Sequence, residues 1–194
     1  MTRLLLSAPL ALLLAACTII PRGAGPQDIF WERLQALCGG AFPGRVATTE
    51  EGDRQLAEAR LVLHVARCDP DEVRIAFHAS RDASRVWVIA RTATGFSLTH
   101  IHRGEDGREE VRSGYGGETD SAGTVRRQEF PANARTRALF RREDIAEAAT
   151  NIWSIEIQPG QSFVYAIDRP GRHLHILFDL SRPVAPPGPA WGER

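Results

Sequence analysis

Apolar residues change their spacing near residue 40, from the three- and four-residue steps of a helix to alternation along the chain. The spacing before residue 40 predicts a helix that begins at a cap on Asp28 and ends at Gly39-Gly40. Its predicted inward residues are Ile29, Phe30, Leu34, Leu37 and Cys38. From Ala41 onward the alternation is typical of strands that bury one face.

The alternating region is divided by turn residues such as Asp106-Gly107, Pro159-Gly160 and Pro170-Gly171. The predicted strands after residue 59 are 60–67, 73–78, 85–91, 96–102, 110–113, 124–130, 152–158, 162–168 and 174–180. A second short helix is predicted over 132–142, with Asn133 as its cap. Its predicted inward residues are Ala134, Ala138 and Leu139.

Three of these strands have one side made of large apolar residues and another that is polar or small. The large residues are Leu61, Leu63 and Val65, then Phe163, Tyr165 and Ile167, then Leu174, Ile176 and Phe178. About ten strands with this pattern predict a mostly β fold, a single antiparallel, lipocalin-like meander barrel with one N-terminal helix and one short later helix. A two-sheet sandwich is the alternative. A barrel of this size has room for a ligand unless aromatic side chains fill it.

The start of the chain has the features of an export signal. Arg3 precedes an apolar run over 4–14, which is too short to span a bilayer because spanning takes about 20 residues. The run ends in Leu14-Ala15-Ala16-Cys17, which resembles the lipobox of bacterial lipoproteins. The resemblance implies cleavage before Cys17 and acylation of its thiol and its new amine. An ordinary cleaved signal with an incidental cysteine is the alternative.

This interpretation divides the chain into four parts: a signal peptide (1–16), a lipid anchor and tether (17–27), a β domain (28–182) and a Pro-rich tail (183–194). Thr18 stands where inner-membrane lipoproteins of enterobacteria carry Asp. The resemblance therefore implies attachment to the outer membrane through the lipid anchor, with the domain on the periplasmic side.

The formal charges cancel, because the chain has 24 basic residues, all of them arginine, and 24 acidic residues. Without a basic excess, nucleic acid is not a predicted partner. The lipobox takes one of three cysteines and leaves Cys38 and Cys68, an even pair in a chain bound for an oxidising compartment. We predict a disulfide between them. Two buried free thiols are the alternative.

Four of the six histidines form two pairs, His100 with His102 and His173 with His175, and each pair lies on one face of a strand. Two such pairs can bind a transition metal if their strands adjoin. Their flanking residues differ, however, so the sequence does not place all four on one surface. No metal ligand, cofactor or catalytic residue is predicted.

His, Tyr and carboxylate residues are densest around the first of these pairs. We predict a candidate polar site there, at a barrel mouth, made of His100, His102, Glu105, Asp106 and Tyr115. A hairpin braced around its turn is the alternative. The motifs over 100–107, 115–119 and 128–131 resemble those of an uncharacterised family of secreted proteins and lipoproteins of proteobacteria, and that resemblance implies no activity.

Six arginines fall within 17 residues that contain one acid, Glu129; they are Arg126, Arg127, Arg135, Arg137, Arg141 and Arg142. An anionic partner such as a phosphorylated lipid headgroup would suit them, and a solvated helix face is the alternative.

These observations favour a binding module for an apolar or amphipathic small molecule. One alternative is a metal-dependent or acid–base enzyme centred on His100 and His102, which convergence of the two histidine pairs would favour. The other is an accessory protein for envelope assembly, which binds an envelope protein through a strand edge or the Pro-rich tail. A hollow lumen favours the binding module, and a filled barrel with an exposed apolar patch favours the accessory protein.

Overall fold

The computed structural model describes residues 24–48 and 50–193, so the lipidation site predicted at Cys17 lies outside the described residues. The helices are α1 (Pro26–Gln35), α2 (Arg54–Glu58) and α3 (Ala134–Arg142), and single 3-10 turns precede α2 (Glu51–Asp53) and follow α3 (Ala146–Thr150). The strands are β1 (Ala41–Val46), β2 (Leu61–Cys68), β3 (Glu72–Ala79), β4 (Asp82–Arg91), β5 (Phe96–His102), β6 (Tyr115–Glu118), β7 (Arg127–Pro131), β8 (Ile152–Gln158), β9 (Ser162–Arg169) and β10 (Arg172–Asp179).

The strands form one antiparallel meander barrel. From β1 to β6 and from β7 to β10 each strand pairs with the next, and β1 also pairs with β10. The gap between β6 and β7 is crossed by an isolated bridge between Gly117 and Ala132, and by the amide of Asn133, which donates to the carbonyl of Gly116 at 3.2 Å. The predicted fold class is therefore confirmed, and β6 and β7 form the seam of the barrel.

The seam depends on two adjacent glycines. A Cβ atom on Gly116 would lie 1.8 Å from the carbonyl oxygen of Leu98, and one on Gly117 would lie 2.1 Å from that of Pro131. Both distances are far below van der Waals contact, so the strands on either side approach closely only because these residues have no side chain.

The interior of the barrel is built from the alternating apolar residues of the strands. The residues predicted to face inward on β2, β9 and β10 are buried, apart from Ile167, which is half-buried. The bounds of β5 and β8 are those predicted from the sequence. The alternation therefore identified the inner face of the sheet correctly.

Helix α1 plugs one end of the barrel with Phe30, Trp31 and Leu34, which are buried against β5 and its neighbours. The indole of Trp31 stacks on the ring of Phe96 with centroids 5.5 Å apart. The predicted cap on Asp28 is wrong. The N-cap is Gly25, whose amide donates to the Asp28 carboxylate at 3.1 Å, because Pro26 without its N–H suits the first turn.

The inward face of α1 also differs from the prediction. Ile29 and Leu37 are half-buried and Cys38 is exposed, whereas Phe30 and Leu34 are buried as predicted. The regular helix ends at Gln35, so residues beyond it no longer follow a helical spacing.

The predicted disulfide between Cys38 and Cys68 is confirmed, with Cα atoms 6.1 Å apart. It joins the turn after α1 to the last residue of β2. The bond therefore ties the plug to the barrel wall at the closed end.

Two further local predictions are wrong, and one short helix was missed. Residues 110–113 form a turn, because Val111 is their single large apolar residue and they have no face to bury; the strand begins at Tyr115 instead. Helix α2 was not predicted, since a helix of five residues is too short to show helical periodicity in its sequence. In α3, Ala134 and Ala138 are exposed, and the helix buries Thr136, Leu139 and Phe140.

The Pro-rich tail packs on the outside of the barrel. The amide of Val184 donates to the carbonyl of Ala41, and that of Trp191 donates to the carbonyl of Ala83. Near its end, the Glu193 carboxylate accepts from Arg74 at 2.8 Å and from Arg103 at 2.6 Å. Among the described residues, no helix is both long and apolar enough to cross a bilayer.

Candidate functional site

A cavity of about 570 Å³ opens at the end of the barrel opposite α1. The inner faces of the strands form its walls, and α2 with the preceding 3-10 turn forms part of its rim. Its apolar lining includes Phe77, Trp87, Tyr165, Ile167, Leu174 and Ile176. Its polar lining includes Asp53, Asp82, Arg85, His100, His102, Tyr115 and Arg172.

Stacked aromatic rings form the floor of the cavity. The rings of Trp87 and Tyr165 stack with centroids 4.0 Å apart and an interplanar angle of 10°, and Phe77 stacks on Trp87 at 5.1 Å. Toward α1 the core is filled, with Phe163 and Phe178 fully buried. The barrel is thus packed at one end and hollow at the other.

His100 lies in the wall below the rim and is 1% exposed. Its Nδ1 lies 3.3 Å from the carbonyl oxygen of Tyr115, which can only accept, so Nδ1 carries the proton. Its Nε2 therefore accepts from the hydroxyl of Tyr165 at 2.8 Å. Burial, together with the neighbouring His102, lowers the pKa of His100 to about 3. This imidazole is neutral at physiological pH, and both of its nitrogens are engaged.

His102 lies one step closer to the rim and is half-buried. Its Nε2 and the hydroxyl of Tyr115 are hydrogen-bonded at 3.1 Å. Burial and the charge of Arg85 lower the pKa of His102 to about 4, and burial raises the pKa of Tyr115 to about 12. Both side chains are therefore uncharged at neutral pH and face the cavity as hydrogen-bonding groups.

Arg85 and Asp82 form an ion pair beside these two residues. The guanidinium of Arg85 lies 6.0 Å from the centre of the Phe77 ring. Burial opposes the charge of Asp82, but bonds from Ser84 and Arg85 lower the pKa of its carboxyl. Asp82 is the one described residue to which the Arg85 guanidinium donates, so most of its N–H groups are available to a ligand.

Arg172 holds the opposite side of the rim. Its Nη1 donates to the Asp53 carboxylate at 2.7 Å, and it also pairs with Glu50. Asp53 ends the 3-10 turn and is 4% exposed, so this network joins the turn and α2 to the start of β10. The guanidinium of Arg172 is therefore engaged in ion pairs that hold the rim, whereas that of Arg85 has N–H groups available to a ligand.

The structure brings together three of the five residues predicted for the polar site, His100, His102 and Tyr115. Glu105 and Asp106 lie in an exposed turn, where Asp106 accepts from the amide of Arg108. The carboxylate near His102 is that of Asp82. The turn predicted at Asp106-Gly107 is present, but its carboxylates form no hydrogen bond with His100 or His102.

The two histidine pairs lie on opposite faces of the sheet. His173 and His175 are on the outer face, where both approach one oxygen of Asp168, at 2.8 and 3.2 Å. Within the described ranges, no three His, Cys, Asp or Glu side chains are arranged to hold a metal ion. The two histidine pairs therefore do not converge, and the observation that would favour the metal-dependent enzyme is not found among these residues.

Sequence reasoning missed Asp82, Arg85, Trp87 and Arg172 as members of the site. The signal for two of them was present, since Arg85 and Trp87 are two apart on β4 and share its inner face.

Fold and site together define a class: a meander barrel, plugged by a helix at one end and with a half-open cavity lined by aromatic and polar residues at the other. No protein-family model, curated protein or solved structure matches the chain significantly. The resemblances noted in the sequence stay predictions, and function must be inferred from the geometry of the site.

Proposed function

We propose that this protein is a binding module that holds a small amphipathic molecule in the cavity at the open end of its barrel. In the same proposal, Cys17 carries lipid that anchors the module to the outer membrane, with the domain on the periplasmic side.

The cavity is the observation that carries this proposal. Its volume of about 570 Å³ falls within the range of roughly 300–1,000 Å³ that is usual for small-molecule sites. The ion pair of Arg172 with Asp53 holds the rim in place without a ligand. A preformed cavity of this kind lowers the ordering cost of binding.

The lining supports an amphipathic ligand over a purely apolar one. Trp87, Tyr165 and Phe77 make the floor apolar, and an aromatic or aliphatic body would pack against it. Arg85 and the Tyr115 hydroxyl stand above this floor, where they would bind the polar part of the same molecule.

The enzyme alternative receives less support from the geometry. Both nitrogens of His100 are occupied, and its low pKa removes it from proton exchange at neutral pH. The assembly alternative is also less supported, since the Pro-rich tail packs on its own barrel and the strand edges of β6 and β7 meet at the seam.

Filling the cavity tests the proposal. Ala59 and Ala79 both line it, so Ala59→Trp/Ala79→Trp places two indoles inside. The matched control is Ala57→Trp/Ala66→Trp, at exposed positions of α2 and β2. We expect an environment-sensitive apolar dye to bind the unmodified protein and the control, and the filled variant to bind at least 10-fold more weakly. Equal dye binding by all three proteins, or binding by none, would refute the proposal.

A further inference from the structure

The exposed side of helix α3 consists of four arginines and two alanines. The helix buries Thr136, Leu139 and Phe140 against the barrel and carries no acidic residue. The exposed arginines are Arg135, Arg137, Arg141 and Arg142. Among the described residues the first three form no ion pair, and Arg142 lies 3.5 Å from Glu143. The six-arginine cluster of the sequence is split, because Arg126 and Arg127 lie at the plugged end.

The two most exposed large apolar side chains of the described part of the chain lie at the same end as α3. Val111 is 74% exposed and Ile152 is 39% exposed. Val111 precedes Arg112, whose guanidinium donates to the carbonyl of Glu143 just after α3, at 3.4 Å. Ile152 begins β8 directly after the 3-10 turn that follows α3.

This surface borders the mouth of the cavity. The ring of Phe140 on the inner side of α3 lies 5.2 Å from that of Tyr115, centroid to centroid, and Tyr115 lines the cavity. Thr136 fixes the helix to the seam, since its hydroxyl donates to the carbonyl of Gly116 and accepts from the amide of the same residue, both at 2.7 Å.

We propose that α3, together with Val111 and Ile152, is a docking surface that places the mouth of the barrel on an anionic lipid membrane. Arginines attract anionic headgroups and bury their aliphatic stems at the interface, while an apolar tip inserts below the headgroups. Two exposed apolar side chains beside four arginines supply both contributions. The surface lies outside the cavity, so it can dock whether or not a ligand is bound.

Because acidic residues surround it at this end, only α3 itself attracts anionic headgroups. Glu109 pairs with Arg103, and Asp106 lies 3.7 Å from Arg108. Further exposed carboxylates near α3 include Glu105, Glu110, Asp144 and Glu147, and Glu51 and Glu58 lie on and beside α2 at the same end. The surface is therefore cationic along α3 and mixed along the 103–114 loop.

The test is co-sedimentation with vesicles of phosphatidylcholine alone or of phosphatidylcholine with phosphatidylglycerol. It uses the chain from residue 17 onward with Cys17→Ser, which keeps every described residue and removes the acylated thiol. The variant is Arg135→Gln/Arg137→Gln/Arg141→Gln. The control is Arg67→Gln/Arg126→Gln/Arg182→Gln, at exposed positions of the plugged end.

We expect binding to the anionic vesicles that weakens as salt is added, and a loss of roughly 100-fold in the α3 variant, from about fivefold per arginine. The control should lose much less, and Val111→Ser should weaken binding several-fold. No binding to anionic vesicles, or equal losses in both triple variants, would overturn the proposal. Equally tight binding to soluble polyglutamate without any effect of Val111→Ser would also overturn it, in favour of an acidic protein partner.

Discussion

Removing one hydroxyl from the buried wall of the cavity should destabilise the protein far more than removing its neighbour. In Tyr165→Phe, the Nε2 lone pair of His100 loses the donor that lies 2.8 Å away. His100 is 1% exposed, so water reaches its Nε2 far less readily than it reaches His102. Leaving a buried polar atom unpaired costs about 1–3 kcal/mol, and we expect Tyr165→Phe to lower the free energy of unfolding by that amount.

Two further variants make this prediction specific. Tyr115→Phe removes a hydroxyl bonded to His102, which is half-buried and faces the cavity, so water can substitute and the cost should stay below about 1 kcal/mol. The double variant His100→Phe/Tyr165→Phe removes both partners of the buried bond. It should therefore be less destabilised than the sum of its single variants.

Urea unfolding at neutral pH, followed by tryptophan fluorescence and far-UV circular dichroism, measures the free energies of unfolding of the unmodified protein, the three single variants Tyr165→Phe, Tyr115→Phe and His100→Phe, and the double variant. Coincident transitions by the two probes would justify a two-state treatment. Equal costs for Tyr165→Phe and Tyr115→Phe, or strict additivity in the double variant, would refute the assignment of the His100 tautomer and of its buried bond.

Three other perturbations have expected outcomes. The pKa values of His100 and His102 lie below the usual 6.5, so the unfolded chain binds more protons than the folded protein in acid. The free energy of unfolding should therefore have its full value above pH 6.5 and fall toward pH 3, by at most about 1.4 kcal/mol per pH unit for each histidine. Urea titrations at several pH values measure this fall. Reducing the disulfide should lower the free energy of unfolding by about 3–4 kcal/mol, measured with and without reductant. Gly117→Ala should destabilise the seam by at least about 1–3 kcal/mol in thermal melts, whereas Gly188→Ala, with open space around it, should not.

The sequence predicted those parts of the fold that depend on alternation. The inner faces of β2, β9 and β10 and the bounds of β5 and β8 were correct because a strand with one buried face repeats every two residues. The role of Gly116-Gly117 could not be predicted, since the sequence does not show that two strand edges meet there. Close backbone approach is a property of the closed barrel and has no local signature.

The candidate site could be predicted only in part for a related reason. His100, His102 and Tyr115 were found because they are close in sequence, whereas Arg85 and Tyr165 reach the site through the register of distant strands. Whether the barrel is hollow depends on how far α1 and the large aromatic side chains fill it. Alternation alone identifies the interior and does not measure its volume.

Native mass spectrometry of the protein purified from its own membrane tests the central claim most directly. We expect the unmodified protein and Ala57→Trp/Ala66→Trp to retain a small molecule of the same mass, and Ala59→Trp/Ala79→Trp to carry none, because its cavity is filled. A bare polypeptide mass in all three proteins, or the same bound molecule in the filled variant, would contradict the proposal that the cavity is a binding site.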